Sequence, residues 1–327
     1  MSALETANRQ QQAMKRVLLA TVPGFLVLSW FYGWGVLINL ILAGACASVV
    51  EACVYRLRGR RLGWAPTDIS GLVSATLLAL ALPPYCPWWL CVAAVASGLL
   101  LGKHVYGANQ NPFNPAMVGY ALMLVTFPQQ MTLWPVSHGM DLLAGLQQIM
   151  GAQGSPPDAW TQATALDTLR INESLTVDEL FAEDPAFGHI AGKGSEWVNL
   201  AFLAGGVFLL QQRVFSWHAP VGMLASLFTI SLLCWNGSGS DSHGAPLFHL
   251  LTGATMLGAF FIVTEPVSGA KSPRARLLFG IGVGLLTYLI RTWGSYPDGV
   301  AFAVLLMNLA VPALERLAAP KPHAVKG

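Results

Sequence analysis

Apolar positions along this chain gather into long runs at about 17–32, 35–55, 70–84, 86–102, 115–131, 197–212, 217–235, 247–264, 277–290 and 299–314. Each approaches the length of a bilayer crossing, so the pattern predicts ten helices. The runs at 70–84 and 277–290 are short, and Gly or Pro falls inside others. Such spans predict broken or tilted helices. Between the fifth and sixth runs, 132–196 is polar and acidic, with Asp141, Asp158, Asp167, Glu173, Asp178, Glu179, Glu183, Asp184 and Glu196. Trp160, Leu166, Leu169, Leu175, Leu180 and Phe181 punctuate it and predict a packed unit. A loop of this length in a compact protein usually has a function. The segmentation predicted is 1–131 as a first membrane unit, 132–196 as a loop region, 197–316 as a second membrane unit and 317–327 as a tail.

Composition sharpens the class. Of 327 residues, 54% are hydrophobic and 10% are charged. A soluble domain carries about a quarter charged residues, and a disordered chain needs low hydrophobicity. Both are excluded in favour of an all-α integral membrane protein in a lipid bilayer. A net charge of +2 without a basic cluster excludes a nucleic-acid partner.

The few charges predict an orientation. With the N-terminus cytoplasmic, 15 of the 18 Lys and Arg residues fall on the cytoplasmic side, leaving only Arg170, Lys193 and Arg291 outside. That is a positive-inside bias. Eleven of the 16 acids fall outside. Both termini are therefore expected in the cytoplasm and 132–196 on the outer, periplasmic side of a bacterial inner membrane. Trp30, Trp34, Trp88, Trp89, Trp134, Trp197, Trp235 and Trp293 lie near predicted outer ends, as an aromatic belt requires. Residues 1–14 are polar and no small-residue cleavage site follows the first run, which is expected to be retained as a span.

Two stretches repeat. Ser70-Gly71 runs on to Pro84 as Thr252-Gly253 runs on to Pro266, and Asn114-Pro115 runs to Pro128 as Asp298-Gly299 runs to Pro312. From 70 to 252 is 182 positions and from 114 to 298 is 184. A unit of five helices is odd, so the second copy enters from the opposite side. The expectation is an inverted-topology repeat whose broken helices meet near the midplane. On this pattern alone a channel or transporter of a small solute fits as well as a redox protein.

Three strings carry a family resemblance: Gly107-Ala108-Asn109-Gln110-Asn111-Pro112-Phe113-Asn114-Pro115-Ala116-Met117-Val118-Gly119-Tyr120, Leu251-Thr252-Gly253-Ala254-Thr255-Met256-Leu257-Gly258-Ala259-Phe260-Phe261, and Tyr296-Pro297-Asp298-Gly299-Val300-Ala301-Phe302-Ala303. The chain resembles, over about 9–316, the D subunits of Rnf (Rsx) ion-translocating electron-transport complexes, relatives of the B subunits of sodium-pumping NADH:quinone reductases. The resemblance implies FMN joined through its phosphate to a threonine by a flavin transferase. It also implies partner subunits and electron exchange between ferredoxin and NAD coupled to sodium or proton movement. The attachment pattern Asp-x-x-Ser/Thr-x-Ala-Thr/Ser is matched by Asp158-Ala159-Trp160-Thr161-Gln162-Ala163-Thr164. Thr164 is then the expected attachment site, with Asp158, Thr161 and Ala163 as its motif. The plainer reading of this stretch is a polar turn.

Thr255 shares the Thr-x-Ala-Thr core, but His249 stands where Asp158 stands in the other motif, and the segment opens a membrane helix. Small residues there allow close helix packing; the alternative is a wall of a flavin or ion path, with Thr252. Asn114 and Asp298 each precede a helix and read as caps or as lining of the same path. Some relatives hold a second, non-covalent flavin such as riboflavin, and the breaks at 70–84 and 252–266 are where it is expected. Cys46, Cys53, Cys86, Cys91 and Cys234 include no Cys-x-x-Cys pair and predict no iron–sulfur or zinc site. No pair of histidines falls mid-span for haem, and no Gly-x-Gly-x-x-Gly unit exists for NAD. No residue is assigned acid, base or nucleophile chemistry, and no complete site for NAD or ferredoxin is expected on this chain.

Overall fold

The computed structural model describes residues 3–59, 69–107, 110–135, 140–151, 161–172, 174–296 and 298–319, and of 3–7, 161 and 162 the backbone alone. Asp158 and Trp160 therefore lie outside the described residues, as does most of the 317–327 tail. The described chain is helical apart from one two-residue antiparallel ribbon, in which Trp134 pairs with Gln162 and Pro135 with Thr161.

The first half contains α1 (Ala3–Tyr32), α2 (Gly35–Leu57), α3 (Ser70–Ala81), α4 (Trp88–Leu99) and α5 (Pro115–Thr126). Short helices follow: α6 (Pro128–Thr132), α7 (Leu142–Ile149), α8 (Ala165–Ile171) and α9 (Val177–Glu183). The second half contains α10 (Ser195–Gln211), α11 (His218–Leu233), α12 (Pro246–Leu251), α13 (Thr255–Leu257), α14 (Pro273–Trp293) and α15 (Val300–Ala318). A π-turn at Leu100–His104 continues α4, and a second at Gly258–Ile262 continues α13. Four helices among the described residues are long and apolar enough to cross a membrane: Asn8–Tyr32 within α1, then α2, α14 and α15. α3, α4 with its π-turn, α5 and α11 are apolar but shorter. Leucine and isoleucine side chains such as Leu26, Ile41 and Leu309 point outward and are mostly exposed. An apolar exterior of this extent suits hydrocarbon rather than water.

Glycine sets how closely the helices approach. A Cβ on Gly205 of α10 would strike the Ala20 carbonyl of α1, and one on Gly280 of α14 would strike Ala219 of α11. Gly98 and Gly102 face Pro115 across the α4–α5 contact. Such backbone proximity replaces the hydrophobic drive that lipid removes.

The 132–196 region is more ordered than its polarity suggests. Asp141 caps α7 by accepting from Ala144 N at 3.1 Å. Thr176 and Glu179 form a capping box at the start of α9. Leu166, Leu169, Leu180, Phe187 and Phe248 make a small apolar core of their own. That core ties the region to α12.

Candidate functional site

A cleft opens beside α8 and the 132–196 region, with about 1300 Å³ of empty space when the open solvent at its mouth is included. Its mouth is formed by Ala163 and Thr164, with Lys193 and Trp134 nearby. Its inner end is apolar, with Leu80 and Met117 from the first half and Leu257 and Ile262 from the second. Thr252, Gly253 and Asp298 complete the wall. Both stretches expected to be broken, 70–84 and 252–266, thus reach one cavity. Asn114 and Thr255 do not line it.

Thr164 is the residue before α8, in extended backbone, and its Oγ1 accepts from Asp167 N at 3.2 Å. Among the described residues its hydroxyl proton meets no acceptor, and the side chain is only half-buried. The neighbouring acid Asp167 is engaged by Arg170 at 2.6 Å. A reachable hydroxyl with an unspent proton is what an ester-forming oxygen requires. Thr252 and Thr255 differ. The Thr252 hydroxyl donates to the Phe248 carbonyl. The Thr255 hydroxyl lies 2.9 Å from the His249 carbonyl and 2.8 Å from that of Thr252, and it accepts from Arg291 Nη2 at 2.9 Å. Thr255 is fully buried.

The wall at Thr252–Ala254 is a break between helices. Thr252 is extended and Gly253 takes φ +58, so α12 stops and α13 begins on a new line. A break in a membrane segment leaves carbonyls and amides that must find partners. Arg291 of α14 donates from Nη1 to the His249 carbonyl at 2.8 Å and from Nη2 to the Thr252 carbonyl at 3.3 Å. Asn199 of α10 lies within hydrogen-bond distance of the Leu251 and Gly253 carbonyls, at 3.0 and 3.1 Å, and accepts from Met256 N at 3.0 Å. Asp298 accepts from Ala254 N at 2.8 Å and from its own helix at Val300 N, 3.2 Å. Its other partner is Arg291, at 3.0 Å.

Asn114 behaves as the corresponding residue before α5. Its Oδ1 accepts from Ala116 N and Met117 N at 3.0 and 3.3 Å, and its Nδ2 donates to Ile262 O at the second π-turn, 3.3 Å. The expected cap is present at Asn114; Asp298 precedes the N-cap Gly299 and accepts from Val300 N without capping α15, and of the two only Asp298 reaches the cavity. Asp158 lies outside the described residues, and of Thr161 only the backbone is described. Sequence reasoning missed Asn199 as a site residue and treated Arg291 and Lys193 only as charges. The signal for the first two was available: polar groups in apolar runs are expensive and need a stated partner. Among the described residues no cluster of His, Cys, Asp and Glu is arranged to hold a metal.

The comparisons with known proteins follow the same direction. The model of the NQR2, RnfD, RnfE family matches residues 2–324. The chain is 61% identical over 318 residues to the D subunit of the ion-translocating oxidoreductase complex of Ectopseudomonas mendocina, covering 97% of this chain and 92% of the relative. It is 60% identical over 319 residues to the same subunit of Pseudomonas aeruginosa strain UCBPP-PA14, with the same coverage. It is 47% identical over 329 residues to that of Cellvibrio japonicus, covering 98% of this chain and 92% of the relative.

Proposed function

The chain belongs to the NQR2, RnfD, RnfE family, and from that premise we propose that it is the membrane subunit of an ion-translocating oxidoreductase complex that carries FMN covalently on Thr164. The observation that carries this reading is the meeting of Thr164, Thr252 and Asp298 on one cavity whose inner wall is apolar. The residues fit the group: a hydroxyl with an unspent proton sits at the mouth, and Tyr32, Tyr120 and Trp134 offer aromatic surface for a planar ring. When bound, FMN supplies transfer of electrons between donors and acceptors on other subunits.

The protein's own part is to position and to exclude water. Thr164 holds the attachment oxygen at the head of α8, where Asp167 N continues to donate to it. The apolar inner wall keeps the ring end dry. The Arg291–Asp298 pair holds the Thr252–Ala254 backbone rigid against that end. Asp158, Thr161 and Ala163 serve recognition by a flavin transferase during maturation. The complex exchanges electrons between ferredoxin and NAD at sites on partner subunits and couples this to sodium or proton translocation. Thr252 and Asp298 line the flavin cavity; Asn114 and Thr255 support it from behind. A second, non-covalent flavin such as riboflavin would bind in the membrane bundle around the stretches 70–84 and 252–266.

The membrane arrangement goes with this reading: ten helices in two inverted five-helix units, 1–131 and 197–316, a periplasmic region 132–196, and cytoplasmic termini including 317–327, in the bacterial inner membrane. Its support is the pairing of like elements across the two halves. α1 packs on α10 and α5 on α15. The glycines Gly98 and Gly102 recur 182 positions on as Gly280 and Gly284, each at a close helix contact.

A denaturing gel under ultraviolet light tests the proposal and separates it from a solute channel. Cells containing the transferase should give a fluorescent band at the mass of the chain. The band should vanish in Thr164→Ala and persist in Thr255→Ala. A dark wild-type band sinks the proposal, and a band surviving in the Thr164 variant moves the site elsewhere.

A further inference from the structure

Among the described residues the cavity has one basic side chain on its wall, Lys193, on the same outer rim as Thr164. The geometry points to Lys193 as the cation that receives the phosphate of the flavin joined at Thr164, a role that rests on the reading of Thr164 above. Three observations carry it.

First, Lys193 is held rigidly at the backbone while its ammonium is unspent. Its N–H donates to the Ala186 carbonyl at 2.8 Å, and its carbonyl accepts from the Tyr32 hydroxyl at 3.4 Å. The turn beneath it is fastened by buried Glu196, which accepts from Ile190 N and Ala191 N at 2.7 and 2.8 Å. The side chain itself is exposed, and among the described residues its ammonium forms no ion pair or hydrogen bond.

Second, the turn abuts the attachment site. A Cβ on Gly192 would lie 3.2 Å from Cβ of Ala165, the residue after Thr164. Gly192, next to Lys193 in the chain, therefore packs against the residue that follows Thr164, and both Lys193 and Thr164 line the cleft. A lysine carries its charge on a flexible four-carbon stem and suits a phosphate as a point charge.

Third, the other charges nearby are neutralised. Asp167 is paired with Arg170, and Asp298 with Arg291. A phosphodiester on Thr164 keeps one negative charge, and Lys193 is the unpaired cation in place to meet it.

The test uses the whole complex expressed with its transferase at limiting flavin supply. Flavin per chain is read from in-gel fluorescence against protein stain, and the tightness of the bound phosphate end from the fluorescence anisotropy of the native complex. Lys193→Gln should lower flavin per chain by roughly threefold, as loss of an exposed charge contact does, and should lower the anisotropy. Lys193→Arg should restore both. The thermal midpoint of the complex made without the transferase should be unchanged in both variants, because the ammonium has no structural partner among the described residues. Lys193→Gln matching wild type in both readings overturns the proposal while leaving Thr164 in place. An equal loss in Lys193→Arg also overturns it, because the charge is retained. A dark wild-type band removes the Thr164 reading itself, and this proposal with it.

Discussion

Asp298 occupies the space that a side chain on Gly253 would need: a Cβ there would collide with Asp298 Oδ2 and lie 2.9 Å from Arg291 Nη2. The same relationship recurs 182 positions earlier. A Cβ on Gly71 would collide with Glu51 Oε1, and Glu51 is paired with Lys103 at 2.8 Å. Lys103 in turn donates to Ser70 Oγ at 2.7 Å, beside the glycine. Near the start of each stretch a glycine is thus seated on a carboxylate that a buried cation holds: the first lies in the unbroken helix α3, the second at the break between α12 and α13. Gly253→Ala should cost about 1–3 kcal/mol, from the positive φ and the displaced carboxylate together. Gly71→Ala lacks the φ penalty and should cost less. Thermal unfolding of the purified chain ranks the two, and equal stability of Gly253→Ala and wild type would refute the packing account.

The apolar spans and the acidic 132–196 region were legible in the sequence, because each is written in local composition; of the two stretches expected to be broken, 252–266 is interrupted at Thr252–Ala254, whereas 70–81 is one continuous helix. The capping residues were readable as well: Thr176 with Glu179 three positions on is a local signature. What was not readable is contact between distant segments. The 247–264 run reads as one span, yet it stops at Thr252 because Arg291 and Asn199, from other helices, satisfy the freed carbonyls. The π-turns at Leu100–His104 and Gly258–Ile262 have no sequence signature at all. The meeting of Thr164 with Thr252 and Asp298 is likewise a product of the fold, not of any motif.

Arg291 is 3% exposed and serves four acceptors on three segments. Removing it strands the Asp298 charge and two carbonyls in an apolar setting. Arg291→Leu should therefore cost about 3–5 kcal/mol. Arg291→Lys should recover little, because an ammonium cannot reproduce the planar fork. Asp298→Asn should cost less than Arg291→Leu, since the amide oxygen still accepts from Ala254 N. Intrinsic fluorescence during thermal unfolding measures all three. Full recovery in Arg291→Lys would show that charge alone, without the fork, suffices.

Two glycines in helix interiors should respond with opposite sign. At Gly280 an added methyl meets the Ala219 carbonyl of α11 and comes within 3.0 Å of Met223 N, so α14 must back away. Gly280→Ala should cost about 1–3 kcal/mol. At Gly44 the nearest atom is Leu72 Cδ1, at an ordinary 3.6 Å. Gly44→Ala should be neutral or stabilise by up to about 1 kcal/mol through helix propensity. A destabilised Gly44→Ala would mean that α2 tolerates no added volume on that face.

Glu179 gives the 132–196 region a defined pH response. Its carboxyl sits below the usual glutamate value because Thr176 N–H and hydroxyl donate to it. A lowered folded value stabilises the charged form. The contribution is complete above the ordinary value of 4.5 and is lost as pH falls through the lower folded value. Hydrogen-exchange protection of amides at the start of α9, corrected for intrinsic rates, should hold from about pH 7 to about pH 5 and then fall. Glu179→Gln, whose amide oxygen can still accept from Thr176 N, should show protection that does not change with pH. A flat profile in the wild type would remove the capping box as the cause.

Thr164 caps α8 and, on the proposed reading, also bears the flavin; substitution divides the two. Thr164→Ser keeps a hydroxyl and should keep both the cap and a fluorescent band. Thr164→Asn still caps, because its carbonyl can accept from Asp167 N, but it offers no ester oxygen. It should give a dark band with normal exchange protection in α8. Thr164→Ala should lose both, with α8 weakened by about 1 kcal/mol. Protection of amides 167–170 beside the gel reading distinguishes the three. A dark Thr164→Asn with a frayed α8 would mean that the flavin, rather than the cap, orders this helix in the mature protein.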